Sequence, residues 1–499
     1  MIVLTSSSAK ARQWGQRVAL ALTLLAPVLC SPFLCFAITS CARHERPGIP
    51  PRHFLLITHD ALRADHVGVY GSLRPTTSLP SDPEQRVEHR AFALDDLAAD
   101  GVIFAGAWSP SEETIPALAT LFSARPPVES GVVDDDSRLP RDVPSLTESL
   151  RAAGFITAAF VSHPRLDLPR ALGRGFDTLE WSASDAGALA AAKAWLARDF
   201  GDGARVFLWL HLSGLEPPWS ALAAGAGEDP DSSPERFLTP GYQGPVDGSR
   251  AFFERWKQGE LALGTADQRH LSELYDGRIA AGMGELVSFL RAAFDYNRRG
   301  AEAVEFWSRT LVVVVGTHGI ELGEHGTPSR IGVVHDELLH VPLFVRHPDS
   351  LTGERVLAET VELEDIAPTV LDWFELPPLA HAHGRSLLAL TDRARGRHFG
   401  SRPAIDETPE RVFSVRDGRW RMIWSPARSK LAPTSRLHDL PDVQLFDRSA
   451  GLAAREDVAA LHTDVVEELK NAVRVWRLAL NPHEKVVLGS TRKPADSTP

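Results

Sequence analysis

Short, continuous apolar runs recur along the chain, each ending in polar residues, with stretches of helical periodicity between them. Phe54–Thr58 (FLLIT), Gly101–Ala107, Phe155–Val161, Arg205–His211 (RVFLWLH), Thr310–Val315 (TLVVVV) and Val341–Val345 read as strands, the uniformly apolar ones as strands buried on both faces. Helices are expected at Phe92–Ala99, from Pro116 onward in Ser109–Arg125, and behind the capping box Ser145-Leu146-Thr147-Glu148, closed by Gly154. Others are expected from a Ser184 or Asp185 cap to about Phe200, over Ala266–Phe294 and over Glu364–Glu375. This alternation predicts an α/β fold: a doubly wound, largely parallel central sheet flanked by helices.

After Pro403 the texture changes. Arg411–Trp424 alternates around Asp417-Gly418, a two-residue hairpin signal. Leu445-Phe446-Asp447 follows, then a closing helix whose apolar stripe is Val465, Val466, Leu469, Val473 and Trp476. A small C-terminal antiparallel sheet plus helix is the expectation. Residues 221–250, rich in Gly, Pro, Asp and Ser, read as a long surface loop. The resulting division is a leader over 1–41, a main domain over 50–400 and a small C-terminal subdomain over 401–485.

Composition adds limits. With 43% hydrophobic and 24% charged residues, the 499-residue chain reads as globular. Its formal net charge of -12 argues against a general nucleic-acid partner. Lys10, Arg12 and Arg17 precede the nearly apolar Val18–Ile38, as in an export signal. Cys41 follows Ile38-Thr39-Ser40, which resembles a bacterial lipobox; that resemblance implies lipidation at Cys41, with an uncleaved membrane anchor as the alternative. On either reading the chain is exported, to the periplasmic or extracellular side, and held at a membrane. The three cysteines all lie at or before Cys41, which leaves none for a disulfide beyond it.

Candidate chemistry collects where strands end. Asp60 follows FLLIT, at the carboxyl edge where open α/β sheets place ligands; it is a catalytic or metal-binding carboxylate or the start of a turn. Thr317 and His318 leave TLVVVV at the same edge if the sheet is parallel. Thr114 precedes the Pro116 helix, where an amide-rich N-terminus favours an anion, so its hydroxyl is a cap or a nucleophile facing an anionic ester. Asp134-Asp135-Asp136 reads as a solvated turn rather than a Ca²⁺ loop.

The segments FLLITHDALRADHVGVYG, LAADGVIFAGAWSPSEETIPALATLFSARPP, GFITAAFVSHPRLD, TLVVVVGTHGIELGEHG, DELLHVPLFVR and EDIAPTVLDWF resemble, in order, those of the sulfatase family of the alkaline-phosphatase superfamily. The VRDGRWRMI hairpin and the LFD segment extend the resemblance to that family's small C-terminal domain. It implies a divalent cation (Ca²⁺, Mg²⁺, Mn²⁺ or Zn²⁺) that activates a nucleophile against a sulfate or phosphate ester. Asp60 matches the first metal-binding Asp, with Ala61 where a second is common. Thr114 stands in place of the Cys or Ser converted to formylglycine, and Thr114-Ile115-Pro116-Ala117-Leu118 lacks the maturation signal, so no formylglycine is expected. Superfamily members that transfer phosphate use an unmodified Thr.

His318 matches the family's Asp-His-Gly, whose Asp is here Thr317, and the loss of that anionic ligand weakens the cation site. His211 matches the first His of His-x-x-Asp-Pro-His, with Gly214 and Glu216 at the Asp and second His; Glu216 is a metal ligand or base at that place or, as the favoured reading, an exposed loop residue. Ser162 and His163 are the polar candidates in Phe160–Pro164, and Arg330 aligns with a His that relatives carry before the DELL segment, where its guanidinium could pair with an anionic oxygen. Asp65, His66, His340, Glu321, Glu324 and His325 read as structural. The resemblance thus implies a metal-dependent hydrolase or transferase with Asp60, His318 and Thr317 around the cation and Thr114, His211 and Arg330 at the ester. The partner would be a small anionic ester or a sulfated or phosphorylated glycan or lipid. The alternative is a pseudoenzyme that keeps the fold as a binding or scaffolding surface.

Overall fold

The computed structural model describes residues 51–78, 94–163, 171–198, 200–201, 203–219, 234–296, 308–325, 334–346, 355–391, 399, 402–408, 411–426, 441–450 and 456–480. The leader with Cys41, Arg330 and residues 221–233 of the 221–250 loop lie outside them.

The uniformly apolar runs form the centre of an eight-stranded sheet of order β4-β3-β5-β1-β6-β7-β2-β8. Its strands are β1 (His53–His59), β2 (Val102–Trp108), β3 (Phe155–Ser162), β4 (Thr178–Ser182), β5 (Arg205–Leu212), β6 (Thr310–Gly316), β7 (Leu343–Arg346) and β8 (Arg355–Glu362). β1, β3, β4, β5 and β6 run parallel, β7 is antiparallel to both β6 and β2, and β2 is parallel to β8, so the sheet is largely parallel as expected. Every residue of β1 and β6 is buried, which is why neither shows a period of two. The sequence pattern misses β4 and β8. β4 lies at the sheet's edge with no buried residue, and β8 (RVLAETVE) interleaves charged positions with apolar ones.

Helices cover both faces. On one, α2 (Thr114–Ser123), α3 (Leu146–Ala152) and α8 (Ile366–Trp373) contribute to a core with Phe54, Phe207 and Trp209. On the other, α1 (Leu94–Ala99), α4 (Asp185–Leu196), α5 (Arg250–Lys257) and α6 (Thr265–Tyr296) pack around Ile57, Leu208 and Val314. Ser145 accepts from the Glu148 amide at 3.3 Å and so caps α3 as its sequence predicts. At α4 the cap is Ser184, which accepts from Gly187 N at 3.2 Å; this leaves the Asp185 carboxylate for another task.

The second sheet is antiparallel: β9 (Ala404–Glu407), β10 (Phe413–Asp417), β11 (Trp420–Trp424) and β12 (Val443–Asp447), ordered β12-β11-β10-β9. A hairpin joins β10 to β11 one residue later than expected: Asp417 pairs with Trp420, so the two-residue turn is Gly418-Arg419, with Gly418 at φ 52°, a conformation that favours glycine. Helix α9 (Thr463–Leu480) buries Val466, Leu469 and Val473 against one face of this sheet. On the other face Ala404, Val412, Ile423 and Phe446 pack with Trp108, Leu338 and Leu339, which couples the small sheet to the end of β2.

Candidate active site

Parallel register gathers the predicted chemistry at one edge. Thr58 of β1 is level with His211 of β5, and Val161 of β3 is level with the same His211, while His59 is level with Gly316 of β6. The next residues past the strand ends, Asp60, His163 and Thr317-His318, therefore emerge beside His211. A tight turn fixes the first: the Asp60 amide donates to Leu212 O at 2.9 Å, and Ala61 adopts φ 55°. The Tyr275 hydroxyl donates to Ala61 O, and its own oxygen, Tyr275 Oη, accepts from Arg63 N at 3.0 Å.

Asp60 is completely buried, as are His211, Thr317 and His318. The Thr317 hydroxyl donates to Asp60 Oδ1. Asp60 Oδ2 faces His211 Nε2 at 3.2 Å and His163 Nε2 at 3.7 Å, yet neither Oδ2 nor His211 Nε2 makes an aligned hydrogen bond. Burial opposes ionisation of Asp60, but His211, His318 and His163 together hold its carboxyl well below the usual carboxylate range. Thr58 Oγ1 accepts from Trp209 Nε1 at 2.9 Å and lies 2.9 Å from His211 Nδ1, which sets the His211 ring plane.

The convergence on His318 is tighter. Its Nδ1 donates to Gly319 O at 2.8 Å, so in the neutral ring Nε2 carries the lone pair. Around that Nε2 stand Thr114 Oγ1 at 3.2 Å, Glu216 Oε1 at 3.5 Å and Asp60 Oδ1 at 3.8 Å. Asp60 Oδ1 already takes the Thr317 hydroxyl, so the Thr114 proton is left between the His318 Nε2 lone pair and the neighbouring Glu216 carboxylate. A shared proton or a cation among them serves both. Asp60, His163 and His211 offer ligand atoms that all lie within 4.8 Å of one another. Mixed imidazole and carboxylate donors suit Zn²⁺ or Mn²⁺ better than Ca²⁺, which takes six to eight oxygens.

Two local expectations change. Helix α2 begins at Thr114 itself rather than at Pro116, which falls within the first turn, where its missing N–H costs nothing. Its N-terminus is also partly occupied already: Ile115 N donates to Asp135 Oδ1 at 2.9 Å, so the middle acid of the Asp134–Asp136 turn takes an amide that an incoming anion would have used. Glu216, read from sequence as an exposed loop residue, is only 18% exposed at its side chain and stands at His318.

The strand-end loop carrying Glu216 is held by Asp185, whose carboxylate accepts from Ser213 N at 3.1 Å, Gly214 N at 3.0 Å and the Ser162 hydroxyl. A Cβ at Gly214 would sit 2.4 Å from Asp185 Oδ2, so a side chain where the family pattern carries Asp would displace the Asp185 carboxylate from the loop amides it holds. Asp185 carries no local signal of this role, and Glu216 carries only its place in the His211 pattern.

Asp65 and His66 serve the fold: Asp65 takes Arg63 Nη2 at 2.7 Å and His66 pairs with Asp276 at 2.6 Å. Glu324 likewise receives Arg63 Nη1 at the limit of a normal hydrogen bond, 2.5 Å. His340 donates from Nε2 to Ala105 O at 2.8 Å.

Comparison with known proteins agrees with this architecture. The family profile described as Sulfatase matches residues 52–182 and 301–376. An ulvan-active sulfatase from Formosa agariphila is 24% identical over 197 residues, 38% of this chain and 32% of that protein. The alignments to curated relatives span between 12% and 34% of those proteins' lengths. Among solved structures, the phosphonate monoester hydrolase of Agrobacterium radiobacter superposes with a TM-score of 0.61 at 18% identity, covering 89% of this chain and 100% of that one. A structure described in complex with its substrate D-glucosamine-2-N,6-O-disulfate gives 0.60 at 15%, covering 87% and 99%. At these identities the two structures establish a shared fold.

Proposed function

The chain belongs to the sulfatase family, and from that premise we propose that it is a divalent-cation-dependent hydrolase or transferase of sulfate or phosphate esters with Thr114 as its nucleophile. The observation that carries the reading is the meeting of Thr114 Oγ1, Glu216 Oε1 and Asp60 Oδ1 around His318 Nε2. Asp60 and His318 would hold the cation, with imidazoles from His163 and His211 and a second carboxylate from Glu216. Glu216 thereby returns, from a different strand end, the negative charge absent at Thr317. A cation there lowers the pKa of the attacking hydroxyl and neutralises charge on the transferred group. With His318 Nε2 on the cation, the Thr114 hydroxyl would stand beside both at an edge whose burial excludes water. His211 faces Asp60 rather than open solvent, which favours a ligand's part over ester contact.

The substrate we propose is a small anionic ester or a sulfated or phosphorylated glycan or lipid. Relatives described as acting on ulvan, and a neighbour described with a glucosamine disulfate, favour the sulfated glycan. Export with a lipid on Cys41 rests on the Ile38-Thr39-Ser40-Cys41 pattern, and the division into domains at 50–400 and 401–485 on the change of texture after Pro403. Among the described residues no helix is long and apolar enough to cross a membrane. One observation favours the pseudoenzyme instead: the Thr317 hydroxyl satisfies Asp60 Oδ1 from within the fold, without a cation.

A panel of sulfate and phosphate monoesters and diesters, run with Zn²⁺, Mn²⁺, Mg²⁺ or Ca²⁺ on the wild type and on Thr114→Ala, separates the two. Turnover that disappears in the variant supports the hydrolase. Turnover that survives removes Thr114 as nucleophile, and no turnover with any metal favours the pseudoenzyme.

A further inference from the structure

A second group of imidazoles and carboxylates lies just past the catalytic edge, where the residues following His318 meet the short helix α7 (Asp336–Leu339). We propose that Glu321, His325, His335 and Glu337 form a separate, structural site for a divalent transition-metal cation of the zinc type. Ligand atoms of Glu321, His325 and His335 lie within 4.8 Å of one another. His335 Nδ1 is 2.8 Å from Glu321 Oε1, and His325 Nε2 is 3.3 Å from Glu337 Oε1. Four donors around a tetrahedral Zn²⁺ with bonds of about 2.0–2.1 Å stand roughly 3.3 Å apart, and the two pairs already stand at 2.8 and 3.3 Å.

The His325–Glu337 pair is less well satisfied than the other, in which His335 and Glu321 already share a hydrogen bond. His325 Nε2 and Glu337 Oε2 make no aligned hydrogen bond, although Glu337 is only 6% exposed. The His325 and His335 rings stack with centroids 3.6 Å apart, so charging both to match the two carboxylates would set like charges face to face. A cation balances both carboxylates while leaving both rings neutral. His325, 23% exposed at its side chain, gives the cation its way in.

The chemistry of the set, two imidazoles and two carboxylates with no open position, is that of a structural site rather than a catalytic one. Its effect is mechanical. Glu321 and His325 continue the segment that carries Thr317 and His318, and His335 and Glu337 belong to the segment whose Leu338 and Leu339 pack on Trp108. A shared cation ties the two together and fixes the loop behind the catalytic edge. The proposal does not depend on a cation at Asp60.

The test is elemental analysis of the full chain after equilibration with Zn²⁺ and removal of excess, for wild type, Asp60→Ala, His335→Gln and His325→Gln. Far-UV circular dichroism confirms that each variant is folded. His325→Gln, at the partly exposed position, serves if His335→Gln does not fold. Co²⁺ substitution in Asp60→Ala should add the visible absorption of a tetrahedral site. Two equivalents in the wild type, with one remaining in Asp60→Ala and one in the His variants, are expected. One equivalent kept in Asp60→Ala and lost in the His variants would uphold this site and remove the cation from Asp60. One equivalent lost in Asp60→Ala and kept in the His variants would overturn this inference alone, and no metal in the wild type would overturn both.

Discussion

Two buried carboxylates in this molecule each meet three basic side chains, and the kind of base separates stability from chemistry. Asp336, under the small sheet, takes Arg416 Nε at 3.0 Å, with Arg421 Nη1 at 3.4 Å and Arg448 Nε at 3.5 Å. Asp60, at the parallel edge, meets His211 at 3.2 Å, His163 at 3.7 Å and His318 at 3.8 Å. In both, burial opposes ionisation and the bases overcome it, which holds each carboxyl well below its ordinary range. A guanidinium never gives up its proton, so the Asp336 cluster is a permanent weld. An imidazole can exchange its proton for a metal, so the same carboxylate-centred plan at Asp60 can bind something.

Breaking the comparison on the chemical side should give the largest effect. Thr114→Ala removes the only group proposed to attack, and turnover should fall by about three orders of magnitude or more in a steady-state ester assay. Thr114→Ser should keep a measurable part of it. On the structural side, Arg416→Met leaves Asp336 and Asp406 buried without their shared guanidinium; urea unfolding should show a loss of about 3–5 kcal/mol with cation binding intact in the folded protein. Glu216→Gln keeps size but removes charge, and should weaken Zn²⁺ or Mn²⁺ affinity about ten- to a hundredfold in a competition titration. An unchanged affinity would leave Glu216 outside the donor set.

A smaller effect should sharpen the structural side through pH. Asp406 touches Arg416, but its burial and the charge of Asp336 push its carboxyl up to about 6 from 3.8. The folded chain therefore binds this proton more tightly than the unfolded one. The group's contribution is full below 3.8 and is lost as pH rises to about 6. Asp406→Asn should flatten the fall in unfolding free energy across that window, measured by denaturant titration at several pH values; an unaltered slope would contradict the raised value.

How legible all this was in the sequence depended on where each signal is stored. β1, β5 and β6 could be read directly, because strands buried on both faces are uniformly apolar, and their ends delivered Asp60, His211 and Thr317-His318 to one edge. β4 and β8 could not, since edge strands mix exposed polar positions with apolar ones. Thr114 was found through its helix, although α2 starts two residues before the proline that announced it. Glu216 is marked only by its place in the His211 pattern, where a loop reading competes, and Asp185 only as an alternative helix cap. Each acquires its part from a residue that only the fold brings close, His318 for the first and the Ser213-Gly214 amides for the second. Asp135 was hidden in the same way, as a turn acid that becomes a partner of the α2 N-terminus.

The account stands on a cation at the Asp60 edge, and an anomalous difference map from crystals equilibrated with Mn²⁺ or Zn²⁺ tests it most directly. A peak within bonding distance of Asp60 and His318, with Glu216, His163 or His211 completing its shell, is the predicted result. A map with no peak there, and the Thr317 hydroxyl still donating to Asp60, would contradict it and leave the edge as a self-satisfied remnant of the family's site.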